Sequence, residues 1–241
     1  MGESIIIASG KDGTGKTVFA VNLAVTLAQR RAAVALVDLN LGMRGLDLAL
    51  GLESSVIYDL GDVFLGVCSL RQACVADRRF EKLDLFSGPQ DLRKADFTPG
   101  QIRGLFEELK RHYDYVIIDT AGGPAGTLSL AASGADRAIL LVTPDQEALR
   151  NAETVNVLLR SKGIADRRLV VNKVRPEFFD EPAIPQPEAI VESLRLPLAG
   201  IIQYDANIQL SSNIGLPIVM EPGTYIADNF RRMAMGLVQP L

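Results

Sequence analysis

Eight consecutive residues, Gly10-Lys11-Asp12-Gly13-Thr14-Gly15-Lys16-Thr17, constrain this chain more than any other feature. They fit the spacing G-x-x-x-x-G-K-[ST] and lie between two segments of different period. Before them, Ile5, Ile6 and Ile7 read as a buried strand over residues 4–9, because β-branched residues run there without polar interruption. After them, Val18, Val21, Ala24, Val25 and Ala28 recur at helical spacing, so residues 16–30 are expected to form a helix with one buried stripe. Strand, glycine-rich loop and helix in that order are the context in which this spacing binds phosphate. The glycines let consecutive backbone N–H groups turn toward an anion, and the helix directs its positive end at the same point. Lys16 is expected to reach the β- and γ-phosphates of a nucleotide, and the Thr17 hydroxyl to ligate Mg²⁺.

The rest of the chain alternates. Strands are expected over residues 34–38, 83–86, 115–119, 138–143, 168–172 and 199–202. Helices are expected over 100–111, 146–161, 187–194, 206–213 and 224–238. Thr98 and Pro99 supply an N-cap and a first-turn proline for the first of these helices. Strands separated by helices pair in parallel through crossover connections, which gives an α/β chain. The expectation is a three-layer P-loop NTPase: a mostly parallel twisted sheet with helices on both faces and ligands at the C-terminal strand ends. No repeat or long linker divides the chain, so one domain over residues 1–241 is expected. Pro176, Pro182, Pro185 and Pro187 make residues 175–187 a surface loop. Phe178 and Phe179 within it are either a partner contact or, as aromatic burial favours, folded back onto the domain.

Asp38 and Asp119 each end an apolar strand. Either could cap a turn or helix. Both following buried strands beside a phosphate loop also suits a Mg²⁺ shell, with Asp119 holding a metal-bound water. The two cysteines, Cys68 and Cys74, form no CxxC pair and have no histidine near them; the single histidine is His112. Half-buried free thiols in a reducing cytosol are therefore expected, and a metal or disulfide framework is not. A hydrophobic fraction of 48%, a charged fraction of 22% and a net charge of −4 exclude wholesale disorder. Lys and Arg are scattered, with no long electrostatic footprint for nucleic acid. No signal peptide opens the chain, and no apolar stretch approaches the roughly 20 residues that span a bilayer. The expected location is the cytoplasm.

With these residues in view, the chain resembles the MinD/ParA family of ATPases with a deviant Walker A motif, its MinD branch most. The deviant lysine after the first glycine is Lys11. The stretch from Val37 to Leu48, the segments Val56–Leu60 and Leu70–Ala73, and Asp119-Thr120-Ala121-Gly122-Gly123 carry the likeness further, which runs from about Ser4 to Val219. The resemblance implies ATP and Mg²⁺ as ligands, ADP as product, and two ATP-bound subunits facing across a two-fold axis. Lys11 of each subunit would then reach the phosphates held by the other, acting beside Lys16 in catalysis. It also implies that Val18 lies by the nucleotide, that Asn172 contacts the adenine edge, and that Asp205 lies near the base.

Several positions depart from the family pattern. Asp12 and Val18 stand where relatives have glycine and threonine, and Asn151 and Gln203 replace an acid and a proline. Asn40 stands where relatives have the aspartate that orients the attacking water, so slow hydrolysis is expected. The terminal Gln239-Pro240-Leu241 replaces a basic amphipathic helix that binds membrane, so the C-terminus does not support membrane binding. The apolar spacing of Tyr225, Ile226, Phe230, Met233 and Leu237 fits core packing instead. The leading expectation is an ATP-switched dimer that positions an unidentified protein partner, as in placement of the division site. The alternatives are a scaffold that binds nucleotide and hardly hydrolyses it, and a P-loop small-molecule synthetase. A reductase on the same fold would need cysteines that this chain lacks.

Overall fold

The computed structural model describes residues 2–124, 126–179 and 181–237. The strands are β1 (Glu3–Ser9), β2 (Val34–Leu39), β3 (Cys74–Ala76), β4 (Leu83–Phe86), β5 (Tyr115–Thr120), β6 (Arg137–Val142), β7 (Asp166–Val174) and β8 (Leu198–Gln203). The helices are α1 (Lys16–Gln29), α2 (Leu46–Leu50), α3 (Leu60–Phe64), α4 (Pro99–Lys110), α5 (Thr127–Ala131), α6 (Gln146–Ser161), α7 (Pro187–Leu194), α8 (Ala206–Asn213) and α9 (Tyr225–Leu237). All strands join one sheet in the order β3-β4-β2-β5-β1-β6-β7-β8. Every neighbouring pair runs parallel except β3–β4, which is antiparallel.

Side chains alternate across the sheet, so β1 feeds two separate cores. Ile6 and Ala8 face a cluster built with α4, α5, α6 and α7. Ile5 and Ile7 face the cluster of α1, α2 and α9. Both faces of the central strands are covered, and this is why they read as continuous apolar runs. The expected three-layer, mostly parallel architecture is the one observed. The chain leaving β1 goes to β2 on one side of the sheet and the chain leaving its neighbour β6 goes to β7 on the other, so a crevice opens at the C-terminal end of β1.

Two expectations fail here. Helix α1 does not bury one stripe: Phe19, Ala20, Asn22, Leu23, Thr26 and Leu27 are buried along with Val21, Ala24, Val25 and Ala28, while Val18 is only partly buried. The cause is its position, packed against the sheet on one side and against α2, α8 and α9 on others. Phe178 and Phe179 do not fold back. They are 40% and 49% exposed, Phe178 on a short helical turn, Pro176–Phe178, and Phe179 directly after it. The prolines fix that turn at the surface, and the Arg175 guanidinium lies 6.0 Å from the Phe178 ring centroid.

Helix α9 packs as its spacing implies. Phe230, Met233 and Leu237 are buried, with the Phe230 ring 5.8 Å from that of Phe19, whereas Tyr225 is exposed. The terminal residues Gln239-Pro240-Leu241 lie outside the described residues. No helix among the described residues is long and apolar enough to cross a membrane. Cys68 and Cys74 are free and partly buried.

Candidate functional site

The glycine-rich loop runs from the end of β1 into the first turn of α1. Gly13 and Gly15 take φ values of 74° and 95°, in the left-handed region that glycine occupies without strain. At Gly15 space is also decisive, because a Cβ there would lie 2.6 Å from Asn172 Nδ2. The same Nδ2 donates to the Thr14 carbonyl at 2.7 Å, and Lys173 Nζ donates to the Gly13 carbonyl at 2.7 Å. The tip of β7 thus braces the loop from below.

Lys16 is buried and turned into the loop. Its Nζ donates to Ser9 Oγ at 3.0 Å and to the Lys11 carbonyl at 3.4 Å. Burial lowers its pKa, while the charges of Asp119 and Asp12 oppose that shift. Thr17 Oγ1 donates to Asp119 Oδ2 at 2.6 Å. Asp119 and Asp38 lie opposite each other in the β2–β5 register and are fully buried. Burial raises both carboxyl pKa values. For Asp119 the charge of Asp38 adds to the rise, and the Thr17 hydrogen bond and Lys16 oppose it.

The two acids are engaged differently. Asp38 Oδ1 accepts from the Asn40 N–H at 2.9 Å, and Oδ2 accepts from the Gly45 and Leu46 N–H groups at 3.1 and 3.3 Å. It therefore latches the loop after β2 and caps the start of α2. Asp119 Oδ1 is buried without a hydrogen-bond partner, as is Thr14 Oγ1. An unpaired buried carboxylate oxygen is costly, and a hydrated divalent cation beside Thr17 would satisfy it. Among the described residues no group of three or more His, Cys, Asp or Glu side chains could cage a metal. The donor set fits Mg²⁺, which keeps waters and phosphate oxygens in its shell.

A cleft of about 560 Å³ runs along the loop. Asp12, Gly13, Gly15, Lys16, Thr17 and Val18 form one wall. Asn40 and Met43 form another, and Asn172, Gln203, Tyr204, Asp205 and α8 close the far end. Most of the residues singled out in the sequence thus share one space. Gly10 and Thr14 are buried in the loop itself, and Asp38 and Asp119 lie at the strand tips. Asp205 caps α8 by accepting from the Asn207 N–H at 2.7 Å. Lys11 turns away from this cleft and pairs with Asp145 at 2.8 Å and Glu147 at 3.4 Å. Those two acids, Lys173 and the Gly122 N–H, which meets Asp12 at 2.9 Å, are contacts that sequence reasoning did not identify. Only Gly122 carried a signal, as part of the glycine pair three residues beyond a strand-end acid.

Comparison with known proteins agrees with this geometry. The family model for the CobQ/CobB/MinD/ParA nucleotide binding domain matches residues 5–218. The septum site-determining protein MinD of Bacillus subtilis (strain 168) is 40% identical over 240 residues, which is 99% of this chain and 90% of the relative. MinD of Synechocystis sp. is 37% identical over 238 residues, covering 97% and 90%. Among solved structures, the MinC:MinD cell division protein complex of Aquifex aeolicus superposes with a TM-score of 0.90 at 32% identity, covering 99% of this chain and 98% of that one. MinD of Pyrococcus horikoshii OT3, complexed with Mg-ADP, gives 0.88 at 29% identity, covering 99% and 97%. By sequence and by fold, the chain belongs to the MinD branch of the CobQ/CobB/MinD/ParA family of nucleotide-binding proteins.

Proposed function

We propose that this chain binds Mg-ATP in the cleft along Gly10–Thr17, switches between monomer and ATP-bound dimer, and so positions a protein partner in the cytoplasm, with slow hydrolysis. The observation that carries the reading is the Thr17–Asp119 pair at 2.6 Å, with an unpaired carboxylate oxygen, directly beside a buried lysine in the glycine loop. Such a site has donors and a cation for phosphate and an acceptor for a metal-bound water. The nucleotide's base would lie toward Asn172 and Asp205, and its phosphates along Gly13–Thr17. Thr17 would ligate Mg²⁺ directly, and Asp119 would hold its water. Asp38, opposite Asp119, would stand behind that shell and hold the loop after β2 in place. When bound, Mg²⁺ supplies charge that offsets negative charge building on the phosphates.

In hydrolysis, water attacks the γ-phosphorus, the bond from that phosphorus to the bridging oxygen breaks, and ADP and phosphate leave. Lys16 would offset the charge on the leaving oxygen. Asn40 would face the attacking water with an amide in place of a carboxylate. A partner named in a relative's complex, MinC, supports a protein partner for this chain as well. Asn40 also favours a second reading, a nucleotide-loaded scaffold of the same family with almost no turnover.

Calorimetric titration with Mg-ATP tests the site. Lys16→Ala removes the one buried cation in the loop, and affinity should fall at least about tenfold, or 1.4 kcal/mol. An alanine variant that binds Mg-ATP as tightly as the parent would sink the assignment.

A further inference from the structure

One carboxylate oxygen joins the two sides of the candidate site. Asp12 Oδ1 accepts from the Gly122 N–H at 2.9 Å and lies 3.6 Å from Lys16 Nζ. These donors come from segments far apart in sequence: the glycine loop after β1, and the turn after β5. The approach is close. A Cβ on Gly122 would lie 2.4 Å from the Lys11 carbonyl carbon and 2.6 Å from Asp12 Oδ1, so glycine is required for the two loops to meet. The neighbouring Gly123 N–H donates to the Ser9 carbonyl at 2.9 Å and fixes the turn against β1.

A lysine ammonium and a backbone N–H converging on one anionic oxygen form an arrangement suited to a phosphate oxygen. Its position along the site is informative. The far wall of the cleft, at Asn172 and Asp205, lies at the other end of the loop. The Asp12–Gly122 contact lies where the loops after β1 and β5 meet, and Lys16, which would serve both a β- and a γ-phosphate, stands beside it. The Asp12 side chain is 84% exposed and free to rotate outward, whereas Lys16 is buried and fixed.

We propose that Asp12 is a specificity-determining residue whose carboxylate stands in for a terminal phosphate, so that the site accepts a nucleoside diphosphate readily and a triphosphate only when Asp12 is displaced. The proposal rests on the nucleotide-binding reading of the cleft. A diphosphate leaves the Asp12–Gly122 contact in place. A triphosphate's terminal group must take the Gly122 donor from Asp12, share Lys16 with the β-phosphate and lie beside the displaced carboxylate, whose charge repels it. Displacement exchanges the Gly122 N–H from Asp12 to the terminal phosphate, while the Gly123 bond to Ser9 keeps the turn on β1.

The test is calorimetric affinity for Mg-ADP and for a non-hydrolysable Mg-ATP analogue, measured on the parent, Asp12→Asn and Asp12→Ala. Thermal melts confirm that each variant is folded. Asn keeps an acceptor for Gly122 without the charge; Ala removes both. The preference for the triphosphate over the diphosphate should rise about tenfold in Asp12→Asn and further in Asp12→Ala, with ADP affinity changed by less than about threefold. An unchanged preference in both variants overturns the role of Asp12 and leaves the nucleotide site standing. Failure of the folded parent and both variants to bind either nucleotide overturns the site reading and this inference with it.

Discussion

Asn40 lines the cleft opposite the glycine loop, with its backbone already committed. Its N–H donates to Asp38, and its carbonyl accepts from the Met43 and Arg44 N–H groups at 3.2 and 3.4 Å. The side chain is what remains for chemistry in the cleft. An amide oxygen can hydrogen-bond a water, but it is a very poor base. General-base help is worth about 10²- to 10⁴-fold in rate. Asn40→Asp should therefore accelerate single-turnover hydrolysis of bound ATP by that order, with affinity changed little. Equal rates in the two proteins would remove Asn40 as the cause of slow turnover. Residues of this kind were legible because the motif is local: eight contiguous positions define the loop, and strand-end acids are found by reading to the end of an apolar run. The Asp12–Gly122 bond was not legible. Its partners are 110 positions apart, and nothing in either segment announces the other. The cis pairing of Lys11 with Asp145 and Glu147 was hidden for the same reason.

Among the elements, α1 shows what periodicity can and cannot tell. Its apolar spacing identified a helix beginning at Lys16, which the structure bears out, but the number of neighbours it meets is a tertiary property. Burial on several sides forces its polar residues to find partners. Asn22 is 2% exposed; its Nδ2 donates to the Val18 carbonyl at 2.8 Å, and its Oδ1 accepts from the Val219 N–H at 3.2 Å. That second bond ties the segment before α9 to α1. Asn22→Ala leaves the Val219 N–H buried without a partner, which costs about 1–3 kcal/mol. Urea unfolding should show the free energy lowered by that amount, seen as a lower midpoint with the slope unchanged; a loss below about 0.5 kcal/mol would mean that water or a backbone shift replaces the bond. Helix α4 was readable to its cap, because Thr98 and Gln101 form a reciprocal capping box around Pro99. Strand β3 went unread. It has three residues, pairs only with β4 and runs antiparallel, so neither a long apolar run nor a following helix marks it.

For the whole molecule, what matters is how this chain would meet a second copy. The face around the cleft carries apolar groups with no cover in the single chain: Met43 is 74% exposed, Leu210 on α8 is 59% exposed, and Ile214, just past that helix, is 70% exposed. Covering such groups contributes about 25 cal/mol per Å². In the proposed dimer Lys11 would have to leave its own acids to reach across. Those pairs are partly exposed, at 29% for Lys11, 40% for Asp145 and 72% for Glu147, and exposed pairs are worth roughly 0.2–1 kcal/mol. A charge-assisted bond to phosphate is worth about 1.5–3 kcal/mol, so the exchange is favourable once ATP is present. Asp12 acts against it, since two carboxylates would approach where two phosphate loops meet. The expected outcome is a monomer with Mg-ADP and a two-fold dimer with a non-hydrolysable Mg-ATP analogue, the dimer strengthened in Asp12→Gly and abolished in Lys11→Ala. Sedimentation velocity over a range of protein concentrations decides it. If the parent and Asp12→Gly both remain monomers with the analogue bound, the dimer is excluded. If Lys11→Ala dimerises as well as the parent, the two copies meet without Lys11 between them.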